Sequence, residues 1–225
     1  MYIKARWGKP LPVGPALGNL LNEMVQSPLV WKKLVGMQML VEGLAMGAFA
    51  TNYQHTNDPL LRRLSQLVMT DEAFHHKFGK IWADRTIPLL SETERHLIED
   101  WARDVFQGLL FNLGSPEQKK SIYARFGIEW EWAQKAFAEA FNDARVRERL
   151  RESTNIFRVL IKTLLKAGII TDRTKPFYAA YVDMAELHRE GDRMIGDDIA
   201  EEGIRYLQQI NGGKGAFTLS SVAAE

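Results

Sequence analysis

The 225-residue chain contains no cysteine. That absence excludes a disulfide framework, a thiolate zinc site, an iron–sulfur cluster and a cysteine nucleophile, and it leaves histidine and carboxylates as the ligands for any metal. A dominant charge is lacking too. Lys and Arg number 29 and Asp and Glu 28, so the formal net charge is +1 and nothing pulls the chain as a whole towards nucleic acid or an acidic membrane. The N-terminal Met1-Tyr2-Ile3-Lys4-Ala5-Arg6 has neither the apolar core nor the cleavage pattern of an export signal, and the expected location is cytoplasmic. With 46% hydrophobic and 25% charged residues, the composition is that of a folded globular chain.

Proline is sparse. Its eight positions (10, 12, 15, 28, 59, 88, 116 and 176) leave long uninterrupted runs in which apolar residues recur three and four apart, so an all-α fold is expected. After a linker-like segment over 8–18, helices are predicted near 16–26, 29–55, 59–87, 92–113, 116–126, 129–167 (whole or broken) and 174–210. Asp58-Pro59 and Ser115-Pro116 each place a capping oxygen before a proline at the first helical position. Ser91 with Glu94 reads as a capping box, and Gly168 as a left-handed helix stop. The expected organisation is a single helical domain over 1–210, with 176–210 as an acidic extension helix and 211–225 as a flexible tail. Charge is uneven along it: 145–175 carries nine basic and three acidic residues, and 183–202 eight acidic and two basic, a pattern expected where two helical faces lie near each other or are solvated, a nucleic-acid groove being the weaker reading.

The run from Leu34 to Ala50 is apolar all round and carries one charge, Glu42. Gln38 and Glu42 interrupt it too early for a membrane span, so it is expected inside the protein. An isolated carboxylate in a core costs several kcal/mol, and Glu42 should be protonated, paired with a base or bound to a metal. On the following helix Leu61, Ser65, Val68, Glu72, His75, Gly79 and Trp82 keep three-and-four spacing, so Glu72 and His75 share a face. Side chains at i and i+3 lie about 5–6 Å apart, close enough for a carboxylate and an imidazole to hold one metal ion. Each helix is roughly 40 Å long at about 1.5 Å per residue, and Glu42 and Glu72 both fall near mid-length on either side of a short turn at 56–58. Asp71 is a candidate acceptor to orient a ligating imidazole. His76, about 100° round the helix from His75, is expected to be structural or outside the direct ligands. Phe49, Phe74, Phe78, Met46 and Tyr53 are candidates for a cavity lining or for plain core, and Gly43, Gly47 and Gly79 for close helix approach.

Leu40-Val-Glu-Gly-Leu-Ala-Met-Gly-Ala-Phe49 and Val68-Met-Thr-Asp-Glu-Ala-Phe-His-His-Lys-Phe-Gly79, with 30 residues between Glu42 and Glu72, resemble the ferritin-like carboxylate-bridged diiron proteins related to the ribonucleotide reductase small subunit. The likeness covers roughly residues 1–180. It implies a ferritin-like helical bundle with accessory C-terminal helices, and an iron site (two metals, as Fe or Mn/Fe) with Glu42, Glu72 and His75 as metal ligands. The departure is equally plain. A complete site of this type takes a lone Glu and a Glu-x-x-His from each of two helix pairs, whereas Glu72-x-x-His75 is the only Glu-x-x-His in the chain. Tyr2-Ile-Lys-Ala-Arg-Trp-Gly8 resembles the end of the helix that closes the family's first half, which would place the first pair upstream of Met1. Gln107, Glu139 with Asn142, and Glu186, His188 and Glu190 are poor substitutes for the absent ligands.

The resemblance therefore implies a diiron-type oxygenase or oxidase that acts with dioxygen on a small, largely apolar substrate. The alternative is a non-catalytic helical interaction module that has lost a complete site. A homodimer or a partner chain would complete the ligand set; neither nucleic acid nor membrane is expected as a partner.

Overall fold

The computed structural model describes residues 2–8, 13–113, 119–140, 148, 155–191 and 194–212, and every regular element among the described residues is helical. Helix α1 (Tyr2–Trp7) is followed by α2 (Pro15–Gln26) and by α3, a continuous helix over Val30–His55. The stretch Leu34–Val41 of α3 is wound as a π-helix, and it ends where Glu42 begins the regular α-helical part, Glu42–His55. Helix α4 (Pro59–Thr86) returns beside it. Then come α5 (Glu92–Leu113), α6 (Lys120–Arg125), α7 (Trp130–Ala140), α8 (Ile156–Lys166), α9 (Lys175–Ala179), α10 (Met184–Arg189) and α11 (Ile195–Ile210).

The helix starts are chemically explicit. The Asp58 carboxylate accepts from the backbone N–H groups of Leu60 and Leu61, so the chain reverses through three residues and α3 and α4 must run antiparallel. Ser91 and Glu94 form the reciprocal pair expected at the start of α5. Helix α8 stops at Gly168, whose φ of +72° is the left-handed conformation that suits glycine.

One expectation is corrected. The helix predicted near 174–210, and with it the acidic extension helix over 176–210, is three helices, because Asp183 caps a new start at α10 and Gly191, at φ +67°, turns the chain before α11. Within the run predicted near 129–167, the described residues form α7 and α8. The expected Ser115-Pro116 cap, the flexible tail beyond Gly212, and residues 9–12, 141–147 and 149–154 lie outside the described residues.

Around the α3–α4 hairpin the other helices are laid on particular faces. Helix α8 crosses α3 at Gly43 and Gly47, where a Cβ on Gly47 would stand 2.9 Å from the backbone Cα of Ile156, so only glycine permits that approach. Helix α11 is not an outlying extension: Gly203 meets Gln66 and Thr70, and Ala200 and Ile204 pack with Ala73 of α4. The main core joins α2, α3, α5, α8 and the segment after it, around Phe106 and Tyr178 in a cluster of edge-on aromatic rings. The Val30–His55 helix is long and apolar enough by composition to cross a membrane, but half of its most apolar stretch is buried against its neighbours, as in a core helix.

Candidate metal centre

Antiparallel pairing sets the register of the centre. Gly79 of α4 lies against Gln38 of α3, where a Cβ would meet the Gln38 Cβ at 2.8 Å, and Ala50 packs in one cluster with Met69. Between these two contacts Glu42 necessarily faces Glu72 and His75. The three side chains meet: one candidate ligand atom from each lies within 4.8 Å of the others. His75 Nδ1 is 3.2 Å from Glu72 Oε2 and 3.7 Å from Glu42 Oε1. Metal–ligand bonds of about 2.0–2.2 Å place donors of one ion about 3 to 4.3 Å apart, so this spacing accepts a cation with small side-chain movements.

Electrostatics agree with that fit. The Glu42 carboxyl is pushed up to about 8, by burial first and then by the hydrogen bond and charge of the Glu72 carboxyl beside it. The Glu42 carboxyl therefore keeps its proton at neutral pH when no cation is present, and a bound cation takes the proton's place. The side chains of Glu42 and Glu72 are 13% and 17% exposed, whereas that of His75 is 54% exposed. The centre is thus closed below by the hairpin and open on the side of His75.

The surrounding candidates sort differently. His76 turns inward, is buried and shares a hydrogen bond of 3.1 Å with the Thr163 hydroxyl of α8, which makes it a structural residue. Burial first, and then the Lys80 charge, lower His76 to about 4, so it is neutral in the fold. Asp71 is exposed, and no hydrogen bond joins it to His75. Met46 packs with Val159 and Met194, Phe49 and Tyr53 flank the Ala50–Met69–Ile199 cluster, and Phe74 flanks the Ala73–Ala200–Ile204 cluster. These four are core rather than cavity lining, and Phe78 points outward. Gln107 and Glu139 are exposed, Glu186 and Glu190 pair with Arg158 on α8, and His188 is exposed; Asn142 lies outside the described residues.

Two features of the centre have little or no mark in the sequence. The π-wound segment immediately before Glu42 widens the helix there, a departure that is rare and recurs at functional sites. Gln38, one turn before Glu42, keeps a buried side-chain oxygen without a hydrogen-bond partner; its only signal was to be the other polar residue in an apolar run. No family model, no curated protein and no solved structure matches this chain.

Proposed function

We propose that the chain is a metal-dependent oxygenase or oxidase of the ferritin-like diiron type, with Glu42, Glu72 and His75 as half of its ligand set. The observation that carries this reading is the convergence of two weakly exposed carboxylates and one imidazole nitrogen at mid-length of an antiparallel helix pair. Carboxylates with an imidazole suit iron or manganese, and the absence of thiolates suits nothing softer. Iron, alone or with manganese, supplies redox and dioxygen chemistry when bound. The chain's own part would be to hold the cation: Glu42 and Glu72 would give carboxylate oxygens and His75 a ring nitrogen, Nδ1. The oxygen chemistry and the small apolar substrate rest on the resemblance of residues 40–49 and 68–79 to that family.

A second reading, the non-catalytic helical module, is favoured by one observation: His75 is half-exposed, so the described residues do not exclude water from the centre. Metal analysis of the purified protein separates the two. The oxidase reading expects iron or manganese to co-purify or to bind stoichiometrically, Glu42→Ala to abolish that binding, and Asp71→Asn to leave most of it. Absence of any metal binding by the intact chain, or metal content unaffected by Glu42→Ala, supports the module instead.

A further inference from the structure

At about 100° per residue, the surface of α4 divides into three arcs. One, with Met69, His76 and Gly79, is covered by α3 and α8. A second, with Gln66, Thr70 and Ala73, is covered by α11. The third lies roughly opposite α11 and carries Leu60, Leu64, Asp71, His75 and Phe78, all exposed. Leu60, Leu64 and Phe78 are all the exposed large hydrophobic residues of α4, Leu64 being 41% and Phe78 56% open to solvent. An amphipathic helix already covered on two sides has no packing reason for a third apolar stripe, least of all one that runs along both sides of an ionisable cluster.

We propose that this face docks a second copy of the same chain about a two-fold axis beside the Glu42–Glu72–His75 cluster, so that the two half-sets of ligands form one two-metal site. The inference rests on the metal reading above. Donor arithmetic selects the occupant. A two-metal carboxylate site takes two lone Glu residues and two Glu-x-x-His pairs, and this face presents one of each. A two-fold axis duplicates that set without a residue from anywhere else, and an isologous contact is self-complementary by construction. The cluster sits near the middle of both helices, so the second α3–α4 layer would meet the first along its whole length and make a four-helix bundle of two identical layers. A face about 40 Å long and about 20 Å wide is large enough for the roughly 800 Å² per partner of a stable interface. The net charge of +1 sets little repulsion between two copies. Half of the most apolar stretch of α3 is also unburied, and the same contact would cover part of it.

The test is mass in solution by light scattering during an anaerobic Fe(II) titration of the whole chain, on wild type, Phe78→Lys and Phe126→Lys. Phe78 is exposed on the proposed face and is not a ligand, so its replacement leaves the fold intact; Phe126 is an exposed apolar residue outside that face. The expected result is a wild-type dimer with two irons per pair of chains, unchanged in Phe126→Lys. In Phe78→Lys the chain should be monomeric and iron affinity should fall by about tenfold or more, because a lone chain offers half the donors. Iron bound equally well by monomers, or a Phe78→Lys protein that keeps both dimer and affinity, overturns the docking while sparing the metal reading. A dimer that binds no iron overturns the metal reading and the shared site with it. A chain that stays monomeric and binds no iron overturns the second copy as occupant.

Discussion

Glu42 and His76 stand within a turn of the same contact and answer burial in opposite senses. Glu42 is raised from 4.5 to about 8, so in the metal-free chain its contribution to stability is full below pH 4.5 and is lost as pH rises through 8. His76 is lowered from 6.5 to about 4, so the unfolded chain binds the extra proton and stability falls as pH drops from 6.5 towards 4. The span of the His76 shift corresponds to roughly 3 kcal/mol. Denaturant unfolding of metal-free protein between pH 4 and 8 should show Glu42→Gln gaining about 1–2 kcal/mol on wild type at pH 8, the figure being discounted for water on the open side of the centre. His76→Gln should flatten the acid limb. Identical pH slopes in wild type and both variants would contradict these assignments. At this scale the sequence was informative about identity: a lone charge in an apolar run and a Glu-x-x-His on a stripe named all three side chains that meet. Their unequal exposure was not legible, since it depends on which faces α8 and α11 occupy.

At the scale of elements, the legible features are those with local chemistry. Asp58, the Ser91–Glu94 pair and Gly168 act through hydrogen bonds and backbone angles within a few residues, and each appears where its spacing placed it. The π-wound stretch Leu34–Val41 has no such local signal, and it contains Gln38, which lies against Gly79. Glycines divide in the same way. Gly47→Ala would push a methyl to 2.9 Å from the Ile156 Cα and 2.8 Å from its Cγ1, with backbone that cannot give way. It should cost about 1–2 kcal/mol despite alanine's better helix propensity. Gly108, inside α5 with nothing within 4 Å of a Cβ, should instead gain about 0.5–1 kcal/mol on Gly108→Ala. Thermal melts of the two variants should therefore shift in opposite directions; equal shifts would refute the close approach at Gly47.

At the scale of the whole molecule, described residues of the two charge blocks meet. Arg158 and Lys162 of α8 are buried, and both reach Glu190 at the end of α10, Lys162 at 2.9 Å; Glu186 lies 3.1 Å from Arg158. Removing the shared acceptor takes one ion-pair partner from each of two buried cations, so Glu190→Ala should lower stability by about 2–3 kcal/mol and Glu186→Ala, at the more open position, by less. Urea midpoints measure both. For these residues of the two blocks, burial of both cations decides for adjacent faces over solvated ones.

By itself the sequence determined the helical class, the antiparallel hairpin and the three residues at its centre, because helix periodicity, capping and short turns are local and each position constrains its neighbours within a turn or two. It could not determine that the acidic C-terminal stretch breaks into three helices and lays α11 across the hairpin, nor that the centre stays open at His75. Those outcomes depend on contacts between residues more than a hundred positions apart, such as Gly203 against Thr70. Glycine at a crossing, glycine at a turn and glycine in plain helix read alike until the neighbouring helix is in place, and so do an apolar stripe that is core and one that is left exposed. Only the tertiary structure distinguishes them, since burial is a property of what lies on the other side.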